Sequence, residues 1–150
     1  MSLYPQLNFP RYSFRLRSCG GTNRIWDDIR KVWLVLTPEE WVRRHVVRWL
    51  VEERGVTPQL IVQEHPVDVN GQPQRADVVV FGTSDARPLL LVECKEPGVR
   101  ISQDVYAQAV RYNAFLKARY IMMTNGLRHY IYEMGADGSY SMLTEFPDLP

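Results

Sequence analysis

Arg75-Ala-Asp-Val-Val-Val-Phe81 and Leu89-Leu-Leu-Val-Glu-Cys-Lys95 are two apolar runs separated by Gly82, Thr83, Ser84, Asp85 and Pro88. Short runs of Val, Leu and Phe bounded by turn residues read as buried β-strands. Each carries charge that burial alone does not explain: Asp77 opens the first, and Glu93 and Lys95 close the second. Strand side chains alternate between faces. Glu93 and Lys95 therefore point the same way, and Cys94 points the other way with Val92. If the two runs form a hairpin, Asp77 comes to lie beside Glu93. Two carboxylates and one ammonium group then stand at the end of a hydrophobic sheet.

Adjacent carboxylates repel unless a cation sits between them or one takes a proton. Such an oxygen pair suits Mg²⁺ or Mn²⁺, which keep several waters and accept phosphate oxygens. Lys95 can orient or deprotonate a water, or stabilise charge on a phosphate. The same residues also suit an ordinary ion pair at a strand end. Composition bears on the choice. Lys31, Lys95 and Lys117 are the only lysines, and the other fifteen of the 18 basic residues are arginine. Lysine and arginine differ in how readily their pKa can be moved.

Outward from this stretch, Leu60–Val69 reads as a strand, and Asn70-Gly71 is a hairpin signal that returns the chain to the Asp77 strand. Glu64 lies inside that strand, where it faces solvent, forms a structural pair or reaches the site. Upstream, Thr37-Pro-Glu-Glu40 is a helix start with Thr37 as N-cap, Pro38 in the first turn and Glu40 completing a capping box. The helix is expected to run to about Arg54, before Gly55. Its apolar stripe centres near Glu39, with Arg44, Arg48 and Glu52 on the opposite side. Glu39 is then either a helix-dipole partner, one turn before Arg43, or a carboxylate aimed at the Asp77–Glu93 site.

Downstream, Glu96-Pro-Gly98 stops the chain before a second helix at about Ser102–Lys117. Gln108 flanks its apolar stripe one turn before Tyr112, a spacing that suits a satisfied hydrogen-bonding pair. Tyr120–Thr124 reads as a buried strand, Asn125-Gly126 as a turn into His129–Tyr132, and Tyr140–Thr144 as an edge strand. Residues 1–36 read as an addition packed on the core: Tyr12–Arg17 as a short strand, Cys19–Asn23 as a turn, and Val32–Leu36 as a second strand or a helix end. Arg11, Arg15 and Arg17 are expected on a solvated face or against phosphate.

The 150 residues suit one domain with a proper core. Two distant cysteines, Cys19 and Cys94, and three scattered histidines offer neither a disulfide scaffold nor a zinc spacing. No apolar run reaches membrane-span length, and the first ten residues lack a signal-peptide core, so a cytoplasmic setting is expected. A net charge of +1 argues against a strongly basic coat while leaving room for a local basic surface.

The order helix, three strands, helix, strand, with Asp77 on the second strand and Glu93-Cys-Lys95 on the third, resembles the PD-(D/E)XK nuclease superfamily. More closely, it is similar to the N-terminal nuclease domain of type I restriction enzyme R subunits. The matching residues are Thr37-Pro-Glu-Glu-Trp-Val-Arg43, Arg75-Ala-Asp77, Leu91-Val-Glu-Cys-Lys95 and Gln108-Ala-Val-Arg-Tyr112. Ala76 stands where the superfamily's name has proline. The resemblance implies a restriction-endonuclease-like α/β core, a mixed central sheet flanked by helices, acting on DNA. It implies Mg²⁺ or Mn²⁺ on Asp77 and Glu93, support from Glu39, and an attacking water positioned by Lys95. It also implies nucleic-acid contacts from Gln108, Tyr112 and Arg43. RNA in place of DNA, assembly as a homodimer or with restriction-complex subunits, and a non-catalytic binding module on the same fold all stay open.

Overall fold

The structure, a computed structural model, describes residues 4–149; residues 1–3, where the N-terminal segment begins, and Pro150 lie outside it. The described residues build two sheets, two α-helices and a short 3-10 turn at Pro58–Leu60. A three-stranded antiparallel sheet comprises β1 (Leu16–Cys19), β2 (Thr22–Asp27) and β3 (Val32–Val35). The helix α1 (Pro38–Glu52) follows, then β4 (Ile61–Val69), β5 (Gln72–Phe81), β6 (Pro88–Cys94), α2 (Gln103–Leu116), β7 (Tyr120–Thr124), β8 (His129–Met134) and β9 (Tyr140–Leu143). The six strands β4 to β9 form one mixed sheet in sequence order. Only β6 and β7 run parallel, because α2 carries the chain back between them. This is the expected restriction-endonuclease-like α/β architecture with an N-terminal β addition.

The elements start where local chemistry predicts. The Glu40 main-chain N–H donates to Thr37 Oγ1 at 3.0 Å, with Pro38 in the first turn. The reciprocal arm of the capping box does not form, because the Glu40 carboxylate turns to Arg44 instead. Asn70 and Gly71 both adopt positive φ (52° and 80°), as a tight hairpin turn of this hand requires. In the N-terminal sheet the first strand lies later than expected, at Leu16–Cys19, and the turn contracts to Gly20-Gly21 because Thr22 and Asn23 already pair with Cys19 and Ser18. Val32–Val35 is a strand.

The large sheet is covered on both faces. Val42, Val46 and Leu50 of α1 pack with Val78, Val80, Val92 and Cys94. On the other face Val105, Ala109 and Tyr112 of α2 pack with Val79, Leu91, Ile121 and Met123. Cys94 thus shares a core with Val92, as alternation requires.

Arg44, on the side of α1 opposite its apolar stripe, is nevertheless buried: its side chain is 3% exposed. A helical stripe alone implies one covered side, and α1 has two. The N-terminal segment covers the opposite side, with Phe14 against Trp41 and His45, and Asp27 of β2 against Arg44. Ile25 and Asp27 are fully buried.

Candidate active site

The site forms where two paired antiparallel strands pass the start of a helix. The β5–β6 register pairs Val78 with Val92 and Val79 with Leu91, which sets Asp77 directly opposite Glu93. The Asp77 main-chain N–H donates to Glu93 Oε1 at 3.3 Å, and the Cys94 N–H donates to Asp77 Oδ2 at 2.8 Å. Each carboxylate is thereby held by the other's strand. Glu93 is 3% exposed.

Asp77 stands at a change of face. Val78 and Val80 lie in the α1-side core, whereas Ala76 and Val79, three residues apart, both lie in the α2-side core. Strict alternation therefore breaks at Asp77. Across from it, the ladder to β4 pairs Gln63 with Val78 and His65 with Ala76 but skips the residue between. That residue is Glu64, held in the left-handed region at φ 54°. A non-glycine residue there carries strain of about 1–2 kcal/mol. Arg30 holds its carboxylate, with Nη1 2.6 Å from Glu64 Oε2. The break lets one aspartate meet β6 on one side and α1 on the other.

From α1, Arg43 approaches Asp77 Oδ1 at 3.6 Å, Glu40 at 3.4 Å and Glu64 at 3.8 Å. Its side chain is 9% exposed, and its buried Nε–H lacks a hydrogen-bond acceptor. Arg43 thus lies behind the carboxylates and away from open surface. Glu39, half-buried one turn earlier, is close enough to Asp77 for that charge to act on it. Burial and then Asp77 raise the Glu39 pKa, while Arg43 and Lys95 pull it down.

Lys95 follows on the rim. Its main-chain N–H donates to Thr124 O at 2.8 Å, which anchors it to the end of β7. Its Nζ reaches Gln108 Oε1 at 3.4 Å, Gln108 Nε2 donates to Tyr112 Oη at 3.0 Å, and the Tyr112 hydroxyl donates to Gln74 Oε1 at 3.3 Å. Gln108 and Tyr112 are therefore the hydrogen-bonding pair their spacing suggested, and the chain of contacts runs on to Lys95. Sequence reasoning missed Gln74. Its one signal was a polar residue three positions after Gly71, on the strand that carries Asp77.

Electrostatics separate this site from an ordinary ion pair. Burial pushes the Asp77 carboxyl up, against the opposing pull of Arg43. Burial, then the charge of Asp77, pushes Glu93 well above the usual carboxylate range. Two facing carboxylates with too little compensating charge fit a hard divalent cation. Among the described residues no cluster of three or more His, Cys, Asp or Glu side chains is placed to hold an ion.

Residues 38–150 match the family model described as the type I restriction enzyme R protein N terminus. The chain belongs to this family. The matched span holds α1, the whole six-stranded sheet and α2, and so every residue of the candidate site; the N-terminal sheet lies before it. No curated protein matches the chain. No helix of the described residues is long and apolar enough to cross a membrane.

Proposed function

We propose that this chain is a metal-dependent nuclease that hydrolyses phosphodiester bonds in DNA. Membership of a restriction-enzyme family supports a nuclease-related role. The observation that carries the finer reading is the buried Asp77–Glu93 pair, opposed across two strands with Lys95 on its open side. Asp77 and Glu93 would hold Mg²⁺ or Mn²⁺. When bound, the ion supplies Lewis acidity toward the phosphate and lowers the pKa of water.

The chain's own residues do the rest. Lys95, tethered through Gln108, donates toward the attacking water or the phosphoryl oxygens and meets the negative charge that builds there. Gln108 and Tyr112 set the position of that ammonium group and border the path of the strand. Glu39 supports Asp77 from α1. Arg43 partly offsets the charge of Asp77, Glu40 and Glu64 from behind. DNA is the polymer the family favours, and other restriction-complex subunits or a second copy are natural partners.

One observation favours a second reading. A guanidinium already stands 3.6 Å from Asp77 Oδ1, so Arg43 could serve as the permanent counter-ion of a non-catalytic module. Cleavage of a labelled DNA duplex under single-turnover conditions decides between them. In Mg²⁺ the wild type is expected to cleave, and Asp77→Asn and Glu93→Gln are expected to lose cleavage while melting no earlier than wild type. Calorimetry should show Mg²⁺ or Mn²⁺ binding in the wild type and none in Asp77→Asn. Equal metal binding by both proteins removes Asp77 from the site.

A further inference from the structure

The charge of this chain is divided unevenly. Residues 1–36 contain six basic and two acidic residues, net +4; residues 37–150 contain twelve basic and fifteen acidic, net −3. The part that carries the candidate site would repel a polyanion, and the part before it would attract one. Both acids of the N-terminal part are already engaged. Asp27 is buried against Arg30 and Arg44, and Asp28 pairs with Arg48 at 3.3 Å.

Three of these six cations gather on one face of the N-terminal sheet. The register sets Arg17 beside Arg24, and Arg24 beside Val35, in one row. In the next row Trp26 pairs with Trp33, and the Trp26 N–H bonds to Arg15 O at 3.0 Å. By alternation these residues share a face, while Ile25 and Asp27 occupy the other and are fully buried. The outer face therefore presents three arginines and two tryptophans and no acid. Arg15 lies over the rings of Trp26 and Trp33 at 4.8 and 5.5 Å, and Arg17 lies over Trp33 at 4.6 Å. The Trp26 and Trp33 rings meet edge to face at 5.2 Å.

Among the described residues, the guanidiniums of Arg15, Arg17 and Arg24 make no ion pair and no hydrogen bond. All the buried or half-buried arginines around α1 do. A guanidinium stacked on a ring keeps all five N–H donors available and has already lost much of its rotamer freedom. Such groups lose less entropy on binding an anion than free surface arginines do. Two such stacked arginines, Arg15 and Arg17, with Arg24 beside Arg17 and no carboxylate among them, match a phosphate backbone. A buried acidic ligand or a hydrophobic partner would want a concave or apolar face instead.

We propose that the outer face of β1–β3, through Arg15, Arg17 and Arg24, docks the phosphate backbone of DNA. The choice of DNA rests on the nuclease reading, but the docking itself does not require the site to be active. The face lies before the family-matched residues. It gives this chain an electrostatic handle on the polymer that its acidic remainder lacks.

The test is binding without metal, so that it reads independently of cleavage. Fluorescence anisotropy of a labelled 20-base-pair duplex in EDTA gives the affinity of the full chain across a salt series. Each phosphate that the protein no longer neutralises lowers the slope of log K against log salt by about 0.9. The triple variant Arg15→Gln/Arg17→Gln/Arg24→Gln is expected to bind at least about tenfold more weakly, with a slope shallower by about 2–3. Arg24 touches no ring, so Arg24→Gln leaves the stacked pairs intact; it is expected to lower the slope by about 1 with an unchanged melting temperature. An all-lysine triple variant keeps the charge and is expected to hold most of the slope.

Unchanged affinity and slope in both the triple variant and Arg24→Gln would overturn the proposal, whatever the cleavage assay shows. So would tighter arginine-dependent binding of RNA of the same sequence, or equal arginine-dependent binding of polyglutamate. If the wild type binds DNA through these arginines and does not cleave it, the docking face stands and the nuclease reading falls.

Discussion

Two groups of buried carboxylates lie on either side of Arg43, and they are built on opposite terms. Behind it, Asp27 is fully buried, yet Arg30 sits 2.6 Å away and Arg44 3.1 Å away, and Gln63 donates to it at 3.1 Å. Arg44 is held in turn by Glu40 at 2.8 Å and by the Gln63 side-chain oxygen. Burial alone would raise the Asp27 pKa; Arg44 and Arg30 outweigh it and hold the group below its ordinary value. In front of Arg43, Asp77 and Glu93 face each other and both are raised. A buried carboxylate is normally paired or protonated. The first group meets that rule within the protein. The second meets it only in part: Arg43 acts on Asp77 and Lys95 on both, and neither outweighs burial.

The largest effect should come from breaking the compensated group. Asp27→Ala leaves Arg44 buried with one partner fewer, a loss of about 3–5 kcal/mol for a buried pair. Urea denaturation at neutral pH should show it. The two groups should also respond to pH with opposite sign. Asp27 has a depressed folded pKa, so its contribution is complete above the ordinary carboxylate value and is lost as pH falls through the lower folded one. Asp77 and Glu93 have raised folded pKa values, so without metal they lower stability as pH rises from the ordinary carboxylate value through the raised ones. Asp77→Asn/Glu93→Gln should remove that upper decline, and Asp27→Asn should remove the acid limb. A common pH profile for both variants would erase the distinction between the groups.

Next in size is Lys95→Arg. If Lys95 only balanced charge, arginine would serve as well, since it pairs readily with carboxylates. If it positions a water, a planar head displaced by about 1 Å should cost on the order of a hundredfold in rate. Wild-type melting temperature and metal binding with single-turnover cleavage reduced by that factor is the expected result. Full activity would return Lys95 to the role of counter-ion.

The smallest and sharpest contrast lies in one helical turn. Thr37→Ala removes the oxygen that caps α1 and should cost about 0.5–2 kcal/mol with little effect on cleavage. Glu39→Gln removes a half-buried carboxylate whose pKa is raised by burial and by Asp77. It should leave stability unchanged or slightly higher and lower the cleavage rate. The reverse pattern would move Glu39 out of the site.

The local features were legible in the chain itself. The two apolar runs with Asp77, Glu93 and Lys95, the Asn70-Gly71 turn and the Thr37 cap each depend on neighbours within a few residues. The opposition of Asp77 and Glu93 followed from a short hairpin and the two-residue period of a strand. The Gln108–Tyr112 pair followed from helical spacing. Glu64 was open, and it proved to be a structural pair with Arg30.

Other features depend on which segments meet, and no window of sequence holds that information. Arg44 lies opposite the apolar stripe of α1, and it is buried because β2 and β4 bring Asp27 and Gln63 to that side of the helix. Arg43 reads from helical spacing as a partner for Glu39, and its approach to Asp77 at 3.6 Å depends on how α1 packs on the sheet. The left-handed backbone of Glu64 is held by a bond to a residue 34 positions away. Pattern and turn chemistry determined which residues share a strand or a helical face. Tertiary contact alone decided which buried charges would be neutralised from within, because compensation requires a partner from another element at a specific distance.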